Sequence, residues 1–184
     1  MPPSLPFSSG QPAIIFLIGY RGTGKTTVGR LLAQRLGWNW IDADEALEAR
    51  HGRSIRRIFA EEGESGFRDK EAALVAELGH GSQQVIATGG GVVLRPENRR
   101  SLRQAGFVVW LTADVDTLWQ RLQGDETTPE RRPALTVGGR AEIEELLRVR
   151  EPLYRACAHV VVDTTRQTSE EVADRILTQL QQFC

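Results

Sequence analysis

Cysteine is nearly missing: Cys157 and Cys184 are the only two in a chain of 184 residues, and they form no Cys-x-x-Cys pair. That pattern excludes a disulfide framework and a thiolate zinc site, and makes a reducing, cytoplasmic setting the default. Long apolar runs are missing as well. None approaches the ~18 residues of a membrane span, so no membrane partner is expected. Met1 to Pro12 has neither the basic start nor the apolar core of a signal peptide, and its Pro, Ser and Gly content reads as a flexible tail over 1–12. A dominant charge is also lacking. A net charge of −1 and a pI near 6.3 argue against a broad nucleic-acid surface and leave small metabolites as the expected partners. No internal repeat or low-complexity core interrupts the chain. What is present is a 40% hydrophobic composition, enough to build the core of one domain over 13–184.

The most informative segment is Gly19-Tyr20-Arg21-Gly22-Thr23-Gly24-Lys25-Thr26, which fits G-x-x-x-x-G-K-[ST] at every fixed position. It lies between a strand-like run, Ile14 to Ile18, and a helix-like one. The chemistry follows from the residue types. Backbone N–H groups of a glycine-rich loop, here Gly22, Thr23, Gly24, Lys25, Thr26 and Thr27, curl around phosphates; Lys25 reaches the β- and γ-phosphates, and the Thr26 hydroxyl ligates Mg2+. The helix opening at Lys25 adds its dipole. ATP or a related triphosphate is the expected cofactor.

Beyond this loop, buried-strand and amphipathic-helix patterns alternate, the signature of a parallel α/β sheet. Strands are expected at Ile14–Ile18, Trp38–Ile41, Gln84–Thr88, Phe107–Thr112 and His159–Val162. The first helix carries Val28, Leu31, Leu32 and Leu36 on one face and stops at Gly37. Ser54 caps a short helix ended by Gly63, and a second helix follows with Phe67, Leu74, Val75 and Leu78 on one side. Thr168-Ser169-Glu170-Glu171 is a capping box for the last helix. The sum is a three-layer α/β/α domain with a five-stranded parallel sheet. The stretch at about 124–139, rich in charge, glycine and proline, reads either as an exposed connection or as a mobile, arginine-bearing lid.

Three further groups invite a chemical reading beside a plainer one. Asp42 and Asp44 fall at the carboxyl end of the second strand, where α/β sheets place ligands. They could cap the next helix, or else divide the work of holding Mg2+ through water and accepting a hydrogen bond from a substrate hydroxyl. Gly89, Gly90 and Gly91 are a flexible turn, or a backbone surface that lets N–H groups approach a substrate closely. Arg68 is spaced to pair with Glu71 on a helix surface. Arg150 instead continues an apolar stripe with Ile143, Leu146 and Leu147, which calls for an anionic partner.

Together these residues resemble the shikimate kinase family. The match runs from about Ile14 to the last helix and comprises Gly19–Thr27, Asp42-x-Asp44, Gly63-Glu64-x-x-Phe67-Arg68-x-x-Glu71, Gly89–Gly91, Arg132-Pro133 and Arg150-x-Pro152-Leu153-Tyr154. The resemblance implies a P-loop kinase fold and a monomer. It also implies ATP-dependent phosphorylation of the 3-hydroxyl of shikimate, on the way to chorismate and the aromatic amino acids. By resemblance Lys25 contacts the transferring phosphate, Thr26 binds magnesium and Asp42 supports it through water. Asp44 holds substrate hydroxyls and serves as base, and Arg68 and Arg150 grip the carboxylate. Gly89, Gly90 and Gly91 bind the substrate, Arg132 arrives on the lid, and Arg121 and Arg166 contact adenine. Glu126 to Arg131 looks like a small insertion, and Arg132-Pro133-Ala134-Leu135 stands where the family commonly has Arg-Pro-Leu-Leu, which implies slower lid closing. A gluconate- or nucleotide-type kinase would share the P-loop, and a regulatory protein would be expected to lose Lys25, Asp44 or a clamp arginine.

Overall fold

The computed structural model describes residues 14–124 and 139–183. The expected tail, nearly all of the expected lid, Arg132 and Cys184 lie outside the described residues.

Five strands form one sheet: β1 (Ile14–Ile18), β2 (Asn39–Asp42), β3 (Gln84–Ala87), β4 (Phe107–Thr112) and β5 (Val160–Asp163). Their order is β2-β3-β1-β4-β5, and every pairing is parallel. Among the described residues there are seven helices: α1 (Lys25–Leu36), α2 (Ala43–His51), α3 (Ile55–Leu78), α4 (Pro96–Ala105), α5 (Val115–Gln123), α6 (Gly139–Cys157) and α7 (Ser169–Gln182).

Strand side chains alternate between faces, so a central strand covered on both sides must be apolar throughout. β1 meets this demand. Ile14, Phe16 and Ile18 pack with residues of α2, α3, α4 and α6, among them Leu47, Phe67, Leu102 and Tyr154. Ile15 and Leu17 face α1 and α7 through Val28, Leu32, Val172 and Ile176. The three expected layers are therefore present. A smaller cluster joins Tyr20 to Leu118 of α5 and to Ile143 and Leu147 of α6.

The local signals act largely as read. Gly37 ends α1 at φ 68°, Ser54 accepts from the Arg57 N–H at 3.2 Å, and the Thr168–Glu171 capping box closes in both directions. The differences have physical causes. β2 starts at Asn39 rather than Trp38, because the Trp38 N–H donates to the Ala33 carbonyl at 2.9 Å and so belongs to the end of α1. β3 stops at Ala87 and β5 spans Val160–Asp163, each within a residue of expectation. Gly63 breaks the helix locally, at φ 70° and ψ −175°, yet helical structure resumes at once and Ile55–Leu78 is one bent element. Helices α2 and α4, absent from the sequence reading, fill the connections after β2 and before β4.

Candidate active site

The segment between β1 and α1 turns sharply. A Cβ at Gly19 would lie 2.2 Å from the Leu111 carbonyl oxygen, and Gly24 precedes α1 in the left-handed region at φ 90°. Only glycine suits both demands. Inside the loop the buried Thr23 hydroxyl donates to the Tyr20 carbonyl at 2.8 Å, and Lys25 Nζ donates to the carbonyls of Gly19 and Tyr20 at 2.8 Å each. The lysine charge is thus held at the mouth of the loop. α1 has no side-chain cap and no acid in its first turn, whereas α2, α3, α5 and α7 are capped by Asp42, Ser54, Asp114 and Thr168. A helix start of this kind, with the positive end of its dipole, is an arrangement that suits an anion.

Beside this loop lies a cleft of about 240 Å³ lined by Thr23, Gly24, Thr27, Arg121 and Gln167 among others. Arg121 Nη1 donates to the Gly22 carbonyl at 3.0 Å and to Thr164 Oγ1 at 3.1 Å, while Nη2 reaches the Thr164 carbonyl at 2.8 Å. The arginine ties the phosphate loop to the turn after β5. A larger cleft, about 570 Å³, adjoins the ends of β4 and β5 and is lined by Asp114, Glu151, Asp163, Arg166 and Gln167 among others. The Thr117 hydroxyl and N–H hold the Asp114 carboxyl below its usual range, with smaller help from Arg166 and Arg121. Arg121 thus lines the cleft beside the loop and Arg166 the larger one, with Gln167 shared between the two.

The two aspartates differ in a way that strand alternation did not anticipate. Asp42 ends β2 and is the N-cap of α2: its Oδ1 accepts from the N–H groups of Asp44, at 2.9 Å, and Glu45, at 3.2 Å. Asp44 sits in the first turn of that helix, half-buried. The capping role weighed in the sequence belongs to Asp42, and it orients the turn that carries Asp44.

The glycine run and the two arginines meet after β3. Thr88 is fixed to the Leu17 carbonyl through its N–H at 3.1 Å and its hydroxyl at 3.2 Å. Gly89 and Gly91 carbonyls then accept from Val92 and Leu94 N–H groups, so the run turns into a short 3-10 segment anchored by buried Val92 and Val93. A Cβ on Gly91 would come within 2.3 Å of Arg68 Nη2. One on Gly90 would lie 3.5 Å from the Gly19 carbonyl oxygen, 3.5 Å from the Tyr154 hydroxyl and 3.6 Å from Arg150 Nη1. The Tyr154 hydroxyl donates to the Gly90 carbonyl, and its ring stacks on Trp110 at 5.6 Å. Arg150 and Tyr154, one helical turn apart on α6, thus both face the glycine loop.

Arg68 is not surface decoration. Its side chain is 8% exposed and pairs with Glu71, 7% exposed, at 2.7 Å. Its guanidinium also lies over the Phe67 ring at 5.0 Å. Sequence reading noted the spacing to Glu71 but not the burial, which comes from packing against Gly91. The Tyr154 hydroxyl contact, the Thr164 brace and Gln167, which lines both clefts, were also missed; each depends on residues distant in the chain.

Among the described residues no group of three or more His, Cys, Asp or Glu side chains could hold a metal ion, and no helix is long and apolar enough to cross a membrane.

The shikimate kinase family model matches residues 21–181. A shikimate kinase of Symbiobacterium thermophilum is 47% identical over 169 residues, covering 91% of this chain and 96% of that protein. One from Rhodopirellula baltica is 44% identical over 168 residues, covering 91% and 90%. The solved structure of the Acinetobacter baumannii shikimate kinase in complex with shikimate matches with a TM-score of 0.86 at 38% identity over 94% of each chain. A gluconokinase from Sinorhizobium meliloti, at 18% identity and a TM-score of 0.56, shares the fold alone. With a family model spanning most of its length and relatives of this similarity, the chain belongs to the shikimate kinase family.

Proposed function

We propose that the protein transfers the γ-phosphoryl group of ATP to the 3-hydroxyl of shikimate, giving shikimate 3-phosphate and ADP in a cytoplasmic route to chorismate. The observation that carries this reading is the meeting of Arg68, Gly91, Gly90 and Arg150 beside the Gly19 carbonyl of the phosphate loop. Two guanidinium groups and a bare glycine backbone suit a small hydroxylated carboxylic acid held next to a triphosphate.

Phosphoryl transfer needs positioning and charge neutralisation more than covalent help. The backbone N–H groups of Gly22, Thr23, Gly24, Lys25, Thr26 and Thr27 hold the phosphates, and Lys25 places its ammonium against the transferring group. Arg121 and Arg166 flank the base on the cleft side. Arg68 and Arg150 hold the acid's carboxylate, and Gly89, Gly90 and Gly91 present backbone to its hydroxyls. Asp44 accepts the hydrogen bond of the attacking hydroxyl and takes its proton. Arg132 adds positive charge from its segment of the chain.

Mg2+ fits the donors present. Thr26 is an exposed residue in the first turn of α1, and Asp42 is a half-buried residue at the sheet's carboxyl edge. A small donor set of this kind suits magnesium, which keeps several waters and takes remaining ligands from phosphates. Thr26 would hold it directly and Asp42 through water. When bound, it neutralises charge on the phosphates.

The test is product identification with an acceptor panel. With ATP and magnesium the protein should convert shikimate, but not gluconate or nucleoside monophosphates, to a monophosphate whose 31P resonance couples to the proton at carbon 3. Conversion of gluconate in place of shikimate would overturn the acceptor. Gel filtration at the mass of one 20.5 kDa chain would agree with the monomer that the family suggests.

A further inference from the structure

We infer that Glu64 is a placeholder for the substrate's carboxylate, competing with it for one edge of Arg68; the inference rests on the acceptor reading above and deepens it. Arg68 presents two distinct faces to acids. Its Nη1 bonds Glu71 at 2.7 Å, and both side chains are buried. Its Nε and Nη2 share a single oxygen of Glu64, Oε1, at 3.4 and 3.3 Å. That Nε/Nη2 pair is the guanidinium fork that accepts a carboxylate through two parallel hydrogen bonds.

Glu64 fills the fork poorly. Both contacts are longer than the ~2.7–2.9 Å of a good charge-assisted bond, and one oxygen serves where a carboxylate can offer two. The Glu64 side chain is 64% exposed, against 7% for Glu71. Gly63, at φ 70° and ψ −175°, breaks the helix immediately before it. Displacing Glu64 returns its carboxylate to water at little cost, whereas displacing Glu71 would strand a buried charge. Gly91 and the Phe67 ring keep the guanidinium in place while its partner changes.

The consequence is an anion threshold. Arg68 is already neutralised towards weak, single-contact anions, and an acid that engages both Nε and Nη2 outcompetes Glu64. Glu64 therefore weakens substrate binding slightly in exchange for selectivity.

Calorimetric titration of the wild-type chain and of Glu64→Gln, each with shikimate and with its uncharged methyl ester, tests this. ADP titration reports that the phosphate loop is intact. Glu64→Gln should bind the acid about two- to fivefold more tightly, the value of one exposed ion pair, with no gain for the ester. Glu64→Ala should show the same sign if the glutamine variant is poorly folded. Unchanged or weaker acid binding, or an equal gain for the ester, would overturn the placeholder. Failure of the wild-type chain to bind shikimate would overturn the acceptor reading alone; gluconate, also a carboxylic acid, would then decide between competition and support at Arg68.

Discussion

Gly91 and Arg68 fit each other so closely that no side chain can stand at position 91 without moving the arginine: a Cβ there would lie 2.3 Å from Nη2, 2.6 Å from Nη1 and 2.7 Å from Cζ. The backbone at Gly91, with φ −97° and ψ 1°, is open to other residues, so the constraint is steric rather than conformational. Gly91→Ala should therefore damage the acid site while leaving the phosphate loop alone. Losing a charge-assisted contact predicts a KM for shikimate higher by about ten- to a hundredfold. Steady-state kinetics in each substrate checks this, and an unchanged shikimate KM would separate Arg68 from the carboxylate.

Tyr154 fixes the neighbouring residue through its hydroxyl bond to the Gly90 carbonyl. Tyr154→Phe leaves the stacking on Trp110 but removes a buried donor, which predicts a loss of about 1–3 kcal/mol in urea unfolding. Binding of the acid, which the glycine loop serves, should weaken more than binding of ATP. A variant as stable as wild type would show that the carbonyl finds another donor.

Arg121 braces the phosphate loop against Thr164 with three hydrogen bonds. Arg121→Ala frees the Gly22 carbonyl and removes one wall of the smaller cleft, so ATP should bind about tenfold or more weakly. Shikimate binding without nucleotide should be unaffected. Equal losses in both ligands would point to a collapsed fold rather than a local brace.

Acid should destabilise the protein through His159. Its Nδ1 accepts the Val108 N–H at 3.0 Å, which requires an unprotonated nitrogen. Burial first, and Arg103 second, hold the imidazole below its usual range. The folded state therefore binds its proton less readily than the unfolded chain, whose value lies near ~6.5. The stability this provides is present above that value and is lost as pH falls through it towards the lower folded value. Unfolding midpoints measured between pH 7.5 and 5.5 should fall in wild type and fall less in His159→Gln. Parallel curves would contradict this origin.

Much of this fold was legible because its determinants are local. The apolar runs of β1 and β4, the left-handed stop at Gly37 and the Thr168 capping box each act within a few residues. Helix α4 was not legible: its sequence, Pro96 to Ala105, is mostly polar and buries only Asn98 and Leu102. α2 escaped because just Ala43 and Leu47 are buried along it, and because Asp42 was weighed mainly as a ligand. The phosphate loop is a contiguous motif and could be read directly. The candidate acid site could be named only by resemblance, since the contact of Tyr154 with Gly90 spans 64 residues, and Arg68 of α3 packs against a glycine of the loop after β3.

Asp44, carried on the turn capped by Asp42, is the residue we propose to activate the hydroxyl of shikimate next to the phosphate loop. The most direct test is ADP release with ATP and magnesium, with and without shikimate, in wild type and Asp44→Asn, with ATP binding measured separately. Shikimate-dependent release should be present in wild type and fall by about a hundredfold or more in Asp44→Asn, the scale of a lost general base, while ATP affinity is retained. Near-normal shikimate-dependent turnover in the folded Asp44→Asn chain, or release in wild type that ignores shikimate, would contradict it.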